Sequence, residues 1–486
     1  MSFETPLLVI VLFLLLTLII GLSSIQVRNT FREYALGTRS FSTPTLVVTL
    51  LATYYAGGIL IRSVATFSSS RLFWIVWQLF VNSFIFLIVS WLAGRMDRCM
   101  YHISMPETMG RIYGKYTRII TTIVSLPYLI IFIAIQINVM SQAISICIPS
   151  HGHMVTIVAT VILCFYTMFG GIQAITFTDV WQFIIFSGII LILTWFTFNH
   201  LGKPTVEIFS FLQRHKNFDL TIGNLFFPFP NKLLPILYYL SMIAYIEPSI
   251  MQVVYMSSSP SQAKSVFRYA ALISCIIMGC ILFIALFVFI KMPSLRGMES
   301  WNYILASSSP NFRVLICLCL LAMAMSTADS KLHTSAILIV YDLLGSIRHT
   351  KMSSENQILL TRIMILMLSI FAMLLVIFNH HSPHYDYIFR HIVGCLVPSI
   401  RIYAVVVVAP FILAVLGFRT SSSIALMGMA TGLCTLYAWD KWIGPIVGPT
   451  SSTFVAIVAN GLSMVALHHL WPRRKDIQLP NNNPLV

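Results

Sequence analysis

Residues 52–58 read Ala-Thr-Tyr-Tyr-Ala-Gly-Gly, in the middle of an apolar stretch, 43–67. A stretch of that length crosses a bilayer as helix, for which about 17–25 residues suffice. Polar and flexible residues at its centre predict a break. A second break is predicted in the stretch 233–257, where Tyr245-Ile246-Glu247-Pro248-Ser249 places a proline near the middle. Proline removes a backbone donor and its ring blocks regular helix. Paired interruptions at corresponding positions of two halves of a membrane chain point to a solute-binding site near the bilayer midplane.

Working outward, thirteen spans are predicted near 7–25, 43–67, 72–94, 118–147, 153–171, 176–199, 233–257, 267–291, 313–342, 359–379, 388–417, 422–439 and 452–471. The two breaks fall in spans 2 and 7, five apart, as an inverted repeat of five helices requires. The chain of 486 residues is 58% hydrophobic and 9% charged, against about 25% charged in soluble domains. These values predict an all-α integral membrane protein with the lipid bilayer as its environment. Barrel strands would instead alternate over about 10 residues. The first apolar run lacks a basic leader and is long enough to span, so it is read as a retained helix.

The net charge of +15 does not imply a nucleic-acid partner, because the basic residues punctuate loops instead of forming one solvated domain. Seventeen of the 30 Lys and Arg fall on one set of connections, including Arg28, Arg32, Arg95, Arg98, Arg111, Lys264, Arg348 and Arg473. The positive-inside rule then puts the N-terminus outside and the C-terminus in the cytoplasm. The nine cysteines form no CxxC pair and read as small packing groups. His380, His381, His384 and His391 lack matched carboxylates or cysteines and read as interfacial residues. Neither a Walker A sequence, a nucleophile elbow nor HExxH occurs, so enzyme chemistry has no support.

The most polar interior segment is Ser326-Thr327-Ala328-Asp329-Ser330-Lys331, inside the apolar stretch 313–342. Such groups are expensive in hydrocarbon and face a protein interior, a partner or a water-filled path. At spacing two on a helix Asp329 and Lys331 do not face each other, so each requires another partner or an aqueous cavity.

Several segments in order resemble the sodium:solute symporter family. Phe31-Arg32-Glu33-Tyr34-Ala35-Leu36-Gly37 is similar to its first cytoplasmic loop, and Ser104-Met105-Pro106-Glu107 with Arg111-Ile112-Tyr113-Gly114 to its T-x-P-E-F…R-Y-G loop. Tyr166-Thr167-Met168-Phe169-Gly170-Gly171, followed by Thr178-Asp179-Val180-Trp181-Gln182, is close to its most specific signature. Glu247-Pro248-Ser249-Ile250-Met251-Gln252 resembles a Q-P-H-x-x-Q-R segment, and Met325-Ser326-Thr327-Ala328-Asp329-Ser330 resembles its S-T-x-D-S helix. The matches run from about residue 30 to 345.

The resemblance implies the LeuT-type fold, a 5+5 inverted repeat with flanking helices. The single membrane domain, 1–486, then divides into a flanking helix (1–30), a first repeat (43–199), a second repeat (233–417), flanking helices (422–471) and a tail (472–486). It also implies a symporter of the inner membrane that carries a small-molecule solute with sodium ion. Small amino acids such as proline are one implied class, with sugars, carboxylates, vitamins and nucleosides open beside them. Carried over by position, the sodium ligands are the backbone oxygens of Ala52, Tyr55 and Met323 and the hydroxyls of Ser326 and Thr327. Asp179 is implied in the ion's cytoplasmic exit; by itself it reads as a carboxylate near a helix N-terminus.

Solute contacts are expected beside the breaks: Thr53, Tyr54, Gly57 and Gly58 on span 2, Gln136 and Asn138 on span 4, Tyr245 and Glu247 on span 7. Glu247 departs from the family's amide there. A carboxylate at that point favours an amine-bearing solute, admits a proton, or is structural. Proton coupling through Glu247 or Asp179, and a sensor that binds without carrying, are the alternative readings. The oligomeric state is left open.

Overall fold

The computed structural model describes residues 4–24, 30–68, 70, 72–148, 152–202, 204–214, 243, 245–348, 350, 352–380, 394–447 and 452–471. The described residues are helical apart from turns and caps. In chain order the helices used below are α1 (Glu4–Ser23), α2 (Phe31–Leu36), α3 (Thr43–Tyr54), α4 (Gly57–Phe67), α5 (Leu72–Ala93), α6 (Met105–Tyr113), α7 (Lys115–Cys147) and α8 (Gly152–Asn199). They continue with α9 (Thr205–Arg214), α10 (Pro248–Met256), α11 (Pro260–Lys291), α12 (Met298–Ser307), α13 (Pro310–Ile337), α14 (Ser354–His380), α15 (Leu396–Val415), α16 (Ser422–Ala438) and α17 (Ser452–Leu470).

Serine followed by proline starts several of them. Ser104 accepts from the Glu107 amide at 3.0 Å, Ser259 from Gln262 at 3.2 Å and Ser42 from Thr45 at 3.3 Å, with proline in the first turn each time. The hydroxyl satisfies one orphan donor, and proline removes another while presetting the helical φ. These signals fix where the chain re-enters its apolar runs.

Among the described residues ten helices are long and apolar enough to cross a bilayer, and the α3–α4 pair, bent by 56°, makes eleven. Two predicted spans, the fifth and sixth, form the one run α8, and the first half of the predicted seventh, 233–242, lies outside the described residues. Those two facts account for the difference from thirteen.

Read as one straight helix, α8 would be about 72 Å long, more than twice the ~30 Å hydrocarbon core. It is interrupted at Gly171, whose φ of 55° and ψ of −152° belong to a region open essentially to glycine alone. The chain folds back there. Tyr166 Cβ and Thr178 Cγ2 lie 2.7 and 3.4 Å from the point where a Cβ on Gly21 would sit. In a straight helix those twelve residues would cover about 18 Å.

At the centre of the molecule is α13. In its apolar window 72% of residues are buried, against 28% for α1, α14 and α17, so it is wrapped by protein while those three face outward. Its surroundings are α7, α8, α3, α4 and α14. Beyond Ile337 it continues as a π-helical turn, Leu338–Leu344. Asp342 on that turn accepts from Arg118 Nε of α7 at 2.7 Å and from Ser104 Oγ, the cap of α6, at 2.8 Å. Large apolar side chains such as Leu8, Trp195, Leu272 and Leu462 are exposed on the outer faces, as lipid contact requires.

Candidate functional site

The break in span 2 sets free backbone oxygens. In a continuous helix the Ala56 amide would bond the Ala52 carbonyl; it bonds Tyr54 O instead, at 3.0 Å. The Ile59 amide goes to Ala56 O at 2.9 Å, which releases the Tyr55 carbonyl from the ladder. Tyr55 itself leaves the helix with φ −79° and ψ 77°. The Gly57 amide is taken by Gln136 Oε1 of α7 at 3.3 Å. Gly57 is required by close approach: a Cβ there would lie 2.8 Å from Val139 Cγ1 and 3.0 Å from the Leu320 carbonyl. A Cβ on Gly58 would meet nothing within 4 Å.

One ridge of α13 closes on this break. Ser326 Oγ donates to the freed Ala52 carbonyl at 2.9 Å and also lies 3.1 Å from Met323 O. Thr327 Oγ1 donates to Met323 O at 3.1 Å. Both residues are fully buried. Ala52, Met323, Ser326 and Thr327 therefore meet around one point, as neutral oxygens shielded from water. That is a donor set suited to a dehydrated hard monovalent cation. The Tyr55 side chain takes no part, because its hydroxyl donates to Ser274 O of α11 at 2.8 Å.

The same ridge goes on to span 7. One turn beyond Ser326, Ser330 Oγ and Thr53 Oγ1 are 2.9 Å apart. A further turn along, Thr334 Oγ1 donates to Gln252 Oε1 of α10 at 2.6 Å. Between them Lys331 Nζ donates to Glu247 Oε1 at 2.6 Å and to Ser249 Oγ at 3.3 Å, and lies 4.6 Å from the centre of the Phe132 ring. Ser249 Oγ in turn donates to Glu247 Oε1 at 2.8 Å. Glu247 caps α10 in extended conformation (φ −117°, ψ 159°), just before Pro248, and Tyr403 OH of α15 donates to the carbonyl of Ile246 at 2.6 Å. The chain entering α10 is thus held from two sides.

The other predicted solute residues separate into groups. Tyr54 donates to Asn82 Oδ1 of α5 at 2.7 Å and packs edge-on against Phe86. Gln136 reaches the break, whereas Asn138, about 200° further round α7, makes no hydrogen bond to either break among the described residues. Tyr245 is 38% exposed beside Glu247. Asp179 lies within the second half of α8, fully buried, and neither of its carboxylate oxygens has a hydrogen-bond partner among the described residues. It is deeper than a start at 176 places it, because the helix resumes directly after Gly171. The carboxylate of Asp329 on α13, by contrast, accepts from Tyr166 OH and from the Ser330 amide, both at 2.6 Å. Asn82, Ser249, Gln252 and Tyr403, which hydrogen-bond to these residues or their neighbours, were not among the predicted candidates. His381, His384 and His391 lie outside the described residues, and among the described ones no group of three His, Cys, Asp or Glu could hold a metal ion.

Solved structures similar to this one are secondary transporters. A Na+-coupled sialic acid symporter aligns with a TM-score of 0.79 at 16% identity, covering 95% of this chain and 97% of its own. Mhp1, a nucleobase-cation-symport-1 family transporter, aligns at 0.57 with 13% identity over 92% and 97% of the two chains. A variant of the manganese transporter of Eremococcus coleocola aligns at 0.53 with 10% identity over 92% and 96%. At these identities the likeness is one of fold, the LeuT-type bundle. No curated protein matches the chain. The model of the sodium:solute symporter family matches residues 34–432, and with the broken span 2 and its α13 partner in place, the chain belongs to the sodium:solute symporter family.

Proposed function

We propose that this protein imports a small organic solute together with sodium by alternating access. The observation that carries the reading is the hydrogen bond from Ser326 Oγ to the Ala52 carbonyl, where a helix break leaves oxygens that a cation can take over. Sodium bound by the carbonyls of Ala52, Tyr55 and Met323 and the hydroxyls of Ser326 and Thr327 would tie the broken span 2 to α13. Closing the two breaks around a solute favours that arrangement, and inward opening separates its ligands and releases the ion. Coupling follows because sodium stabilises the solute-competent state more than the other.

The solute site on this reading lies beside Thr53, Tyr54, Gly57, Gly58, Gln136, Tyr245 and Glu247, with Asn138 on the far face of α7. The first repeat runs over 43–199 and the second over 233–417. The protein sits in the inner membrane with its N-terminus outside. Asp179 would guide sodium from the site to the cytoplasm. Its buried oxygens also support a second reading, in which a proton replaces sodium as the coupling ion.

Uptake into proteoliposomes separates the two. With sodium removed at fixed pH, solute uptake is expected to fall to the level of empty vesicles. Unchanged uptake that follows an imposed pH gradient would replace sodium by protons, and binding without flux would make the protein a sensor.

A further inference from the structure

The Lys331–Glu247 ion pair is a costly arrangement for a protein interior. Both side chains are largely enclosed, 4% and 13% exposed. Removing one partner of such a pair is strongly destabilising, yet an intact buried pair adds little stability over apolar side chains of the same volume. Stability therefore does not explain its presence. Its position is specific: Glu247 stands at the start of α10, just before Pro248, and Lys331 stands one turn along α13 from the proposed sodium hydroxyls.

Each charge also has a second holder already in place. Lys331 keeps the Ser249 hydroxyl and the face of Phe132 when its direct contact opens, and Glu247 keeps the Ser249 proton. Tyr245 beside it is partly exposed, and the Cβ side of Gly58 is open. The pair can therefore part without leaving either charge bare.

A solute with one net charge cannot exploit that. An anion on Lys331 would leave the Glu247 carboxylate beside a second negative charge in a low-dielectric site, and a cation on Glu247 would do the same to Lys331. A solute carrying both a carboxylate and an ammonium replaces both halves at once: its carboxylate goes to Lys331, its ammonium to Glu247, and the buried charge stays balanced. A neutral solute has nothing with which to open the pair.

We propose that Lys331 and Glu247 are the specificity-determining residues of the solute site and that the carried solute is a zwitterion bearing one ammonium and one carboxylate. This rests on the transport reading above and deepens it.

The test uses the full-length protein in lipid nanodiscs. Thermal stabilisation is measured with sodium or choline chloride and matched probes: an amino acid, the amine left by removing its carboxylate, the acid left by removing its amine, and a polyol. Alanine, ethylamine, propionate and glycerol form one such set; proline and pyrrolidine begin another. Zwitterions are expected to bind in sodium at least about tenfold more tightly than the charged or polyol members of their set. Glu247→Gln should move the preference toward the carboxylic acids, and Lys331→Gln toward the amines, each by about tenfold or more. Sodium stabilisation should persist in both. The wild-type panel requires no variant, so a misfolded variant does not remove the test.

Charged probes binding as well as zwitterions, or a sodium response with no zwitterion response, would overturn this assignment and leave symport standing. A zwitterion response without any sodium response would do the reverse.

Discussion

At the scale of single residues the site depends on a few oxygens and one missing methyl. Ser326→Ala and Thr327→Ala each remove one hydroxyl from the proposed sodium cluster, a loss of about 0.5–1.5 kcal/mol. The sodium concentration for half-maximal uptake should rise by about three- to tenfold in each; if neither value moves, those hydroxyls do not bind the ion. Gly57 and Gly58 form a matched control. Gly57→Ala puts a carbon 3.0 Å from the Leu320 carbonyl and is expected to cost about 1–3 kcal/mol, read as a lowered melting temperature. Gly58→Ala meets open space and should leave it unchanged. The Ser-Thr pair and both glycines stand out in the sequence because polar or flexible residues are rare inside apolar spans. The partner of Lys331 does not: Glu247 is 84 positions away, and only tertiary packing joins them. Gln136 and Asn138 look alike as letters, and the helical period alone separates the one that reaches the break from the one that does not.

Among the elements, α13 organises the rest. Ser326, Ser330 and Thr334 recur every fourth residue along one ridge, and each takes a different partner: Ala52, Thr53 and Gln252. Thr327 and Lys331 repeat the spacing alongside. The first half of the predicted seventh span lies outside the described residues. The break in span 2 was legible from Gly-Gly, and Glu-Pro marked the start of α10, because the effect of each on the backbone is local. What grips them was not, since it depends on how α10, α13 and α15 pack. Tyr403 supplies the test. Tyr403→Phe deletes the bond to the Ile246 carbonyl while keeping the ring, at a cost of about 1 kcal/mol. Amide hydrogen exchange over 245–256 should quicken several-fold, with exchange over α16 and α17 unaffected. Equal protection in both proteins would show that α15 does not hold the chain entering α10.

For the whole molecule, composition and charge placement decide most of what can be read before any contact is known. An apolar, sparsely charged chain with basic connections on one side has to thread a bilayer in one sense. An epitope tag on the N-terminus should react with antibody in intact spheroplasts, and one on the C-terminus only after they are opened. The opposite pattern would reverse the assignment of inside and outside. The helix count was harder to see, because two crossings share the run α8. Gly171 makes that run two passes instead of one, so it sets the parity of the threading. The described helices that follow, from α10 to α17, owe the sense of their crossing to a backbone angle that one residue type tolerates.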